Sequence, residues 1–204
     1  MAPSLMNKLL DRGEQLIAIV LYAFLVQRIW PADFNITNIA VSLVLIPEGI
    51  IVFFLLIRRS TTEISLRPQD WAVALLATTA PLLIVKGAAP TNLEVGLFLL
   101  LFGTLTQVVA KLSLRRSFGL VAANRGVKTG GVYRYVRHPM YLGYMISHVG
   151  FLLMSPSVWN AFVYVVCWGC LILRIAFEER VLSKDETYQA FKLRVPHRLI
   201  PGVY

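Results

Sequence analysis

The sequence predicts an all-α protein, a polytopic transmembrane helical bundle of about six membrane helices with a cytoplasmic C-terminal helix. Three observations carry this. Of the 204 residues, 57% are hydrophobic and only 15% charged, with a mean hydropathy of +0.66; a soluble domain would charge about a quarter of its residues. The apolar residues gather in six long runs bounded by charge or by Pro, Gly or Asn. Lysine and arginine are segregated to alternate loops. The same composition excludes a disordered chain.

A helix crossing a hydrocarbon core of about 30 Å needs about 17 to 25 residues. The six runs are Glu14 to Trp30, Ile36 to Ile57, Trp71 to Val85, Leu93 to Leu114, Met140 to Met154 and Val158 to Phe177. The third and fifth are short, and span only with little tilt or with help from their flanks. Ser155-Pro156-Ser157 alone separates the last two runs, so a tight antiparallel hairpin is expected there. The polar stretch Met1 to Arg12 leads into the first run without a small-residue cleavage site, which argues against a signal peptide. With no internal repeat or low-complexity linker, residues 1–204 read as one membrane domain.

The formal net charge is +9, from 20 Lys and Arg against 11 Asp and Glu. An excess of this size fits nucleic acid or anionic lipid, and its placement decides. Lys8 and Arg12 precede the first run; Arg58, Arg59 and Arg67 follow the second. Lys111, Arg115, Arg116, Arg125, Lys128, Arg134 and Arg137 lie at the fourth, and Arg180, Lys184, Lys192, Arg194 and Arg198 after the sixth. The opposite side carries Arg28 and Lys86, and Arg174 stands within the sixth run. Both termini are therefore expected on the cytoplasmic face, with membrane lipids rather than nucleic acid as the basic partner.

The cysteines Cys167 and Cys170 both fall inside the apolar stretch Val163 to Ile175 and cannot supply a disulfide framework. Their C-x-x-C spacing fits a redox or zinc half-site, but a metal needs further ligands and a thiolate in hydrocarbon is costly. They read as ordinary membrane-helix cysteines. No metal is expected, and neither an HExxH nor a GxxxxGK[ST] sequence occurs.

Chemistry concentrates after Leu114, most densely in the stretch from Asn124 to Gly143. Gly126, Gly130 and Gly131 permit turns, and Pro139 pre-sets the first turn of the fifth helix with His138 near its cap. The orphan amides of that helix start suit an anionic or polar ligand. His138, Tyr141, Met145 and His148 follow steps of three, four and three, sharing one stripe that runs from the cytoplasmic mouth into the bilayer. On the sixth helix, Arg174 and Glu178 share a face that continues from Cys167 and Leu171, while Glu179 points about 100° away. An intramembrane arginine is a functional hypothesis, because burying it unpaired costs several kcal/mol. A packing seam with satisfied histidines, and an Arg174 to Glu178 ion pair at the interface, are the structural alternatives. Glu48 after Pro47 reads as a packing kink with a neutral or partnered glutamate, the alternative being a functional kink with a protonatable carboxyl, and Gln107 reads as an interhelical hydrogen bond.

Taken together, Gly131-Val-Tyr133, Arg137-His-Pro-x-Tyr141-x-Gly143, Arg174-x-x-x-Glu178-Glu179, Tyr188-x-x-x-Lys192-x-Arg194-Val195 and Leu199-Ile-Pro201 resemble the isoprenylcysteine carboxyl methyltransferase and phospholipid methyltransferase superfamily. The resemblance covers roughly residues 115–204, leaving 1–114 as a variable set of helices. It implies an integral-membrane enzyme using S-adenosylmethionine, with the cofactor held on the cytoplasmic side by the last two membrane helices and the C-terminal segment. The implied cofactor contacts are Lys128, Tyr133, His138, Pro139, Met140, Tyr141, Glu178 and Glu179. Arg174 and Glu178 are the implied catalytic pair, and Arg174 with His148 the acceptor side. A short helix over Lys184 to Arg194, apolar at Tyr188 and Phe191, would close as a lid. Where the prenylcysteine enzymes usually read His-x-Leu-Val, this chain has Arg125-Gly-Val-Lys128.

The implied reaction moves a methyl group to a lipophilic acceptor, a prenylcysteine-like carboxylate or a lipid headgroup. An ionised carboxylate needs no general base; an amine does, with Glu178, Glu179 or His148 as candidates. No obligate protein partner is implied. Two rival readings are a sterol-reductase-like NADPH-dependent reductase and a transporter or scaffold with a polar path through His148, Arg174 and Glu48.

Overall fold

The computed structural model describes residues 5–30, 42–59, 61 and 64–203. Seven α-helices lie among them: α1 Leu5–Ile29, α2 Leu45–Ile57, α3 Pro68–Thr79, α4 Leu93–Leu114, α5 Pro139–Met154, α6 Val158–Leu182 and α7 Glu186–Arg194. The protein is all-α, and among the described residues the sole β-type pairing is an isolated bridge between Ile64 and Ala123. Each apolar run holds a helix, with shifted ends. The first is already helical at Leu5, the third finishes as a 3-10 turn over Ala80–Leu83, and the last continues past Phe177 to Leu182. The stretch Ile36 to Val41 of the second run lies outside the described residues.

Helix starts follow local chemistry. The side chains of Asn92, Ser157 and Asp185 accept from the amides of Val95, Asn160 and Thr187, capping α4, α6 and α7. α3 and α5 instead open on Pro68 and Pro139, whose missing N–H would have been unpaired there.

Leu93–Ser117 and Val158–Leu182 are long and apolar enough to cross a membrane; α2 and α5 are shorter apolar helices. Only 33% and 44% of the most apolar stretch of the two long spans is buried inside the protein, so most of that surface faces outward, unlike the core helix of a soluble domain. Phe53, Phe98, Leu105, Phe162 and Val165 are among the large apolar side chains left exposed on the bundle. A membrane protein satisfies these surfaces with lipid.

The closest packing joins α4 to α5. A Cβ placed on Gly143 would lie 2.8 Å from the Gly103 carbonyl oxygen, and one on Gly150 would lie 2.7 Å from that of Gly96, so the two backbones touch through their glycines. Gln107 donates to Ser147 Oγ at 3.0 Å across this seam, the interhelical bond expected of it. α3 packs along α6, whereas α5 and α6 approach each other little despite their short connection. The expected antiparallel hairpin is therefore spaced by side chains rather than closed backbone to backbone, because the glycine face of α5 is turned to α4. Side chains bridge the gap instead, as where Trp168 Nε1 donates to His148 Nδ1 at 3.1 Å.

Candidate functional site

Two spaces converge on the cytoplasmic end predicted for α5 and α6. The first is a narrow cleft of about 90 Å³ between the 117–128 loop, the start of α5, the end of α6 and α7. The second is an apolar cavity of about 800 Å³ enclosed by α1 to α6. Phe118 and Met140 line both, so the two spaces share a wall.

The cleft gathers Lys128, Tyr133, His138, Met140, Tyr141 and Glu178, residues up to 50 positions apart that are brought together by the α5 start and the extended α6. Tyr141 donates to Glu178 Oε1, and His138 Nδ1 stands 3.8 Å from Glu178 Oε2. The rings of His138 and Tyr141 stack with centroids 5.8 Å apart. Pro139 is the buried first residue of α5. Glu179 faces away from the cleft, as its 100° offset implies, and both its oxygens are engaged: Oε1 by Arg137 Nε at 2.8 Å and His138 Nε2 at 3.2 Å, Oε2 by Arg198 Nε at 3.0 Å. The carboxylate acceptor places the His138 proton on Nε2. The backbone reinforces the clamp, with the amides of Arg137 and His138 donating to the carbonyls of His197 and Arg198.

α7 roofs the cleft. Tyr188 and Phe191 are buried with ring centroids 5.8 Å apart, and the Tyr188 hydroxyl is buried with no hydrogen-bond partner. Burial raises the Tyr188 and Tyr133 hydroxyls above their ordinary pKa, so both remain protonated donors. Asn124 Nδ2 donates to Asp185 Oδ2 at 3.0 Å, tying the roof to the 117–128 loop, and this bond holds the Asp185 carboxyl below its usual pKa.

Arg174 joins the two spaces. It lines the apolar cavity, donates from Nη2 to the Leu120 carbonyl at 2.8 Å, and lies 5.2 Å over the Tyr141 ring. Its Nη2 is 3.9 Å from Glu178 Oε1, and its buried Nε has no hydrogen-bond partner. His148 lines the same cavity, stacked on Tyr164 at 4.1 Å. Because Trp168 donates to Nδ1, the neutral imidazole carries its hydrogen on Nε2. The helical stripe from His138 to His148 thus divides, with its start at the cleft and its end in the cavity.

The first half of the chain contributes more than the sequence suggested. Fully buried Glu14 accepts from the amides of Leu120 and Val121, pinning the loop that walls the cleft. Arg58 pairs with Glu14 Oε2 at 2.7 Å and Asp11 Oδ1 at 2.8 Å, and Arg125 pairs with the same Asp11 oxygen at 2.8 Å. Burial pushes the Arg125 pKa down, against the opposing pull of Glu14. Glu48 stands in the first turn of α2 and is partnered by Lys111 Nζ and Tyr144 OH, each at 3.1 Å. Cys167 and Cys170 are free and buried.

Comparison with known proteins finds similarity in the same part of the chain. Residues 91–189 match the phospholipid methyltransferase family, a match that begins before Arg115 and takes in all of α4. Protein-S-isoprenylcysteine O-methyltransferase A of Arabidopsis thaliana is 35% identical over 95 residues, 44% of this chain and 48% of that protein. The B form from the same plant is 32% identical over 109 residues, 50% of this chain and 55% of that protein. The Schizosaccharomyces pombe protein-S-isoprenylcysteine O-methyltransferase is 30% identical over 105 residues, 48% and 44% of the two chains. The chain spans about half the length of the curated relatives it matches. Over residues 91–189, just under half of its length, the chain is similar to the phospholipid methyltransferase family, and about half of it is similar to isoprenylcysteine O-methyltransferases.

Proposed function

We propose that this protein transfers a methyl group from S-adenosylmethionine to a lipophilic acceptor, at the cytoplasmic end of a six-span bundle with both termini on that side. One observation carries the reading: a polar cleft and an apolar cavity meet at Phe118 and Met140, with Arg174 beside the junction and its Nε unpaired. A methyl transferase of lipids needs such a place, where a polar donor and an apolar acceptor meet out of water.

The cleft residues fit the donor chemically. Glu178 offers a carboxylate to the methionine ammonium, Tyr141 and His138 offer aromatic faces, and the unpaired Tyr188 hydroxyl offers a hydrogen bond. When bound, the cofactor supplies a methyl group on a positively charged sulfur. Glu179 acts one step removed, fixing the orientation and tautomer of His138 while the C-terminal segment closes behind it. Asn124 and Asp185 latch α7 over the cleft, so the narrow space opens for loading when α7 lifts.

On the acceptor side, Arg174 orients an anionic group, and His148 presents Nε2–H as a hydrogen-bond donor rather than a base. A cavity that offers a cation and a donor favours a carboxylate acceptor, already ionised and in need of no proton transfer. The identity of the relatives as isoprenylcysteine O-methyltransferases supports the same choice. Transfer of labelled methyl in lipid nanodiscs to an S-prenylcysteine carboxylate, with a phosphatidylethanolamine amine as competitor, tests it. Label in a base-labile ester is expected; label confined to the amine would overturn the carboxylate reading, and label in neither would overturn the methyltransferase reading.

A further inference from the structure

A third space, a groove of about 390 Å³, opens on the outer surface where the end of α4 meets the 128–131 loop. Arg115 and Lys128 line it beside Ser113, and Val109 and Leu112 form its apolar side. No acidic side chain lines it. Among the described residues, neither Arg115 nor Lys128 makes an ion pair or a side-chain hydrogen bond. Two cations that share a groove without an anion keep their donors for a ligand.

The backbone brings them there at some cost. Arg115 has φ 49° and is the sole non-glycine residue with a positive φ among the described residues, a conformation that favours glycine. Strain of this kind is concentrated at binding and switch sites. Complementing the negative end of α4 would account for a basic residue here, but not for the strain, nor for Lys128 arriving from a different segment. Gly131, at φ 61°, lets that segment close on the helix, since a Cβ there would stand 3.0 Å from Ser113 Oγ.

An apolar track leads away from the groove. Phe102, Leu105, Val109 and Leu112 are exposed at steps of three, four and three along one face of α4. Ten residues of helix advance about 15 Å, the depth of one leaflet of a hydrocarbon core about 30 Å thick. A pair of cations at the head of a leaflet-deep apolar track matches a phosphate with an acyl chain beneath it. A zwitterionic headgroup would bring its own cation toward Arg115 and Lys128, so the complementary lipid is an anionic one.

We propose that this groove is a binding site for an anionic phospholipid, with its phosphate held by Arg115 and Lys128 and one acyl chain lying along Phe102 to Leu112. The site requires a bilayer and does not rest on the methyl-transfer reading. Lys128 also lines the donor cleft, so Arg115 is the cation that belongs to the groove alone.

The test is native mass spectrometry of the detergent-held protein, titrated with phosphatidylglycerol and with phosphatidylcholine of the same chains. Wild type is expected to hold one phosphatidylglycerol about twentyfold more tightly than phosphatidylcholine, roughly fivefold from each cation. Arg115→Gln should lower phosphatidylglycerol affinity about fivefold, and Arg115→Gln with Lys128→Gln should bring the preference within about twofold. Arg134→Gln with Lys184→Gln removes the same charge elsewhere on the cytoplasmic side and should leave the preference within about twofold of wild type. The groove variants should melt at the wild-type temperature, because the lost side chains bond nothing in the protein. Wild type without a preference, a groove double variant that keeps it, or a control that loses as much would overturn the site. Displacement of the bound lipid by sn-glycerol 3-phosphate at equal concentration would reassign the groove to a soluble phosphate and overturn the lipid.

Discussion

The cleft and the cavity differ in how they are built. The cleft is narrow and polar, and its side chains are tied to one another: Glu178 to Tyr141, Glu179 to three cationic or imidazole groups, Asn124 to Asp185. The cavity is nearly nine times larger by volume, walled by Ala18, Leu21, Ile51, Val52, Ala77 and their neighbours, and Arg174 in its wall keeps an unpaired Nε. The first is made by residues within the family match except Phe191, and the second largely by residues outside it. On the proposed reading, such a site fixes its donor with residues inside the matched region and leaves its acceptor largely to residues outside it.

The comparison is broken most severely at Glu14, which belongs to the first half but supports the cleft. Glu14→Leu leaves Asp11 as the one carboxylate for both buried Arg58 and Arg125 among the described residues, and leaves the Leu120 and Val121 amides without that acceptor. We expect a loss of about 3–5 kcal/mol, read as a fall in thermal midpoint in detergent. Unchanged stability would show that the buried charges find other partners.

Arg174→Ala separates the two spaces. It is expected to lower turnover about a hundredfold while changing S-adenosylhomocysteine affinity less than about threefold, because charge-assisted bonds to the acceptor are lost and the cleft is not. Equal loss of both would place Arg174 in the donor site. Ala77→Phe fills the cavity only and is expected to raise the acceptor KM about tenfold with donor affinity unaltered; a parallel loss of donor affinity would show the spaces to be one.

The smallest effect is expected at the latch. Asn124→Ala should speed S-adenosylhomocysteine release about threefold, measured by stopped flow. Because Asp185 titrates below its usual range in the folded protein, its contribution is present above that range and lost only as pH falls through the lowered value. The difference between wild type and variant should therefore be constant from about pH 6 to 8, and a latch that fails in this window would contradict the ion's assigned state.

Much of the fold is legible in the chain because apolar run length and capping are local. α4 and α6 start at Leu93 and Val158 as their caps dictate, and the Gln107 and Glu48 partners are of the kind a buried polar residue requires. The pairing of distant charges is not local. Arg58, Lys111, Arg125 and Arg180 read as loop charges that set topology, yet they pair with Glu14, Glu48, Asp11 and Asp70 across 40 to more than 100 residues. The positive-inside pattern counts charges and is silent on what they touch. The neighbour of α5 was legible in principle, since Gly96 and Gly103 on α4 face Gly150 and Gly143 at the same seven-residue interval. The three-residue turn before α6 is the louder signal and points to α6, which α5 meets through side chains.

The most direct measurement is calorimetric titration of the nanodisc-held protein with S-adenosylhomocysteine, with NADPH as control and Glu178→Gln as comparator. Wild type is expected to bind S-adenosylhomocysteine and not NADPH, and Glu178→Gln to lose about tenfold or more in affinity while melting at the wild-type temperature. Wild type that fails to bind, or binds NADPH in preference, or a variant that binds as tightly as wild type, would contradict the donor site placed at the end of α6.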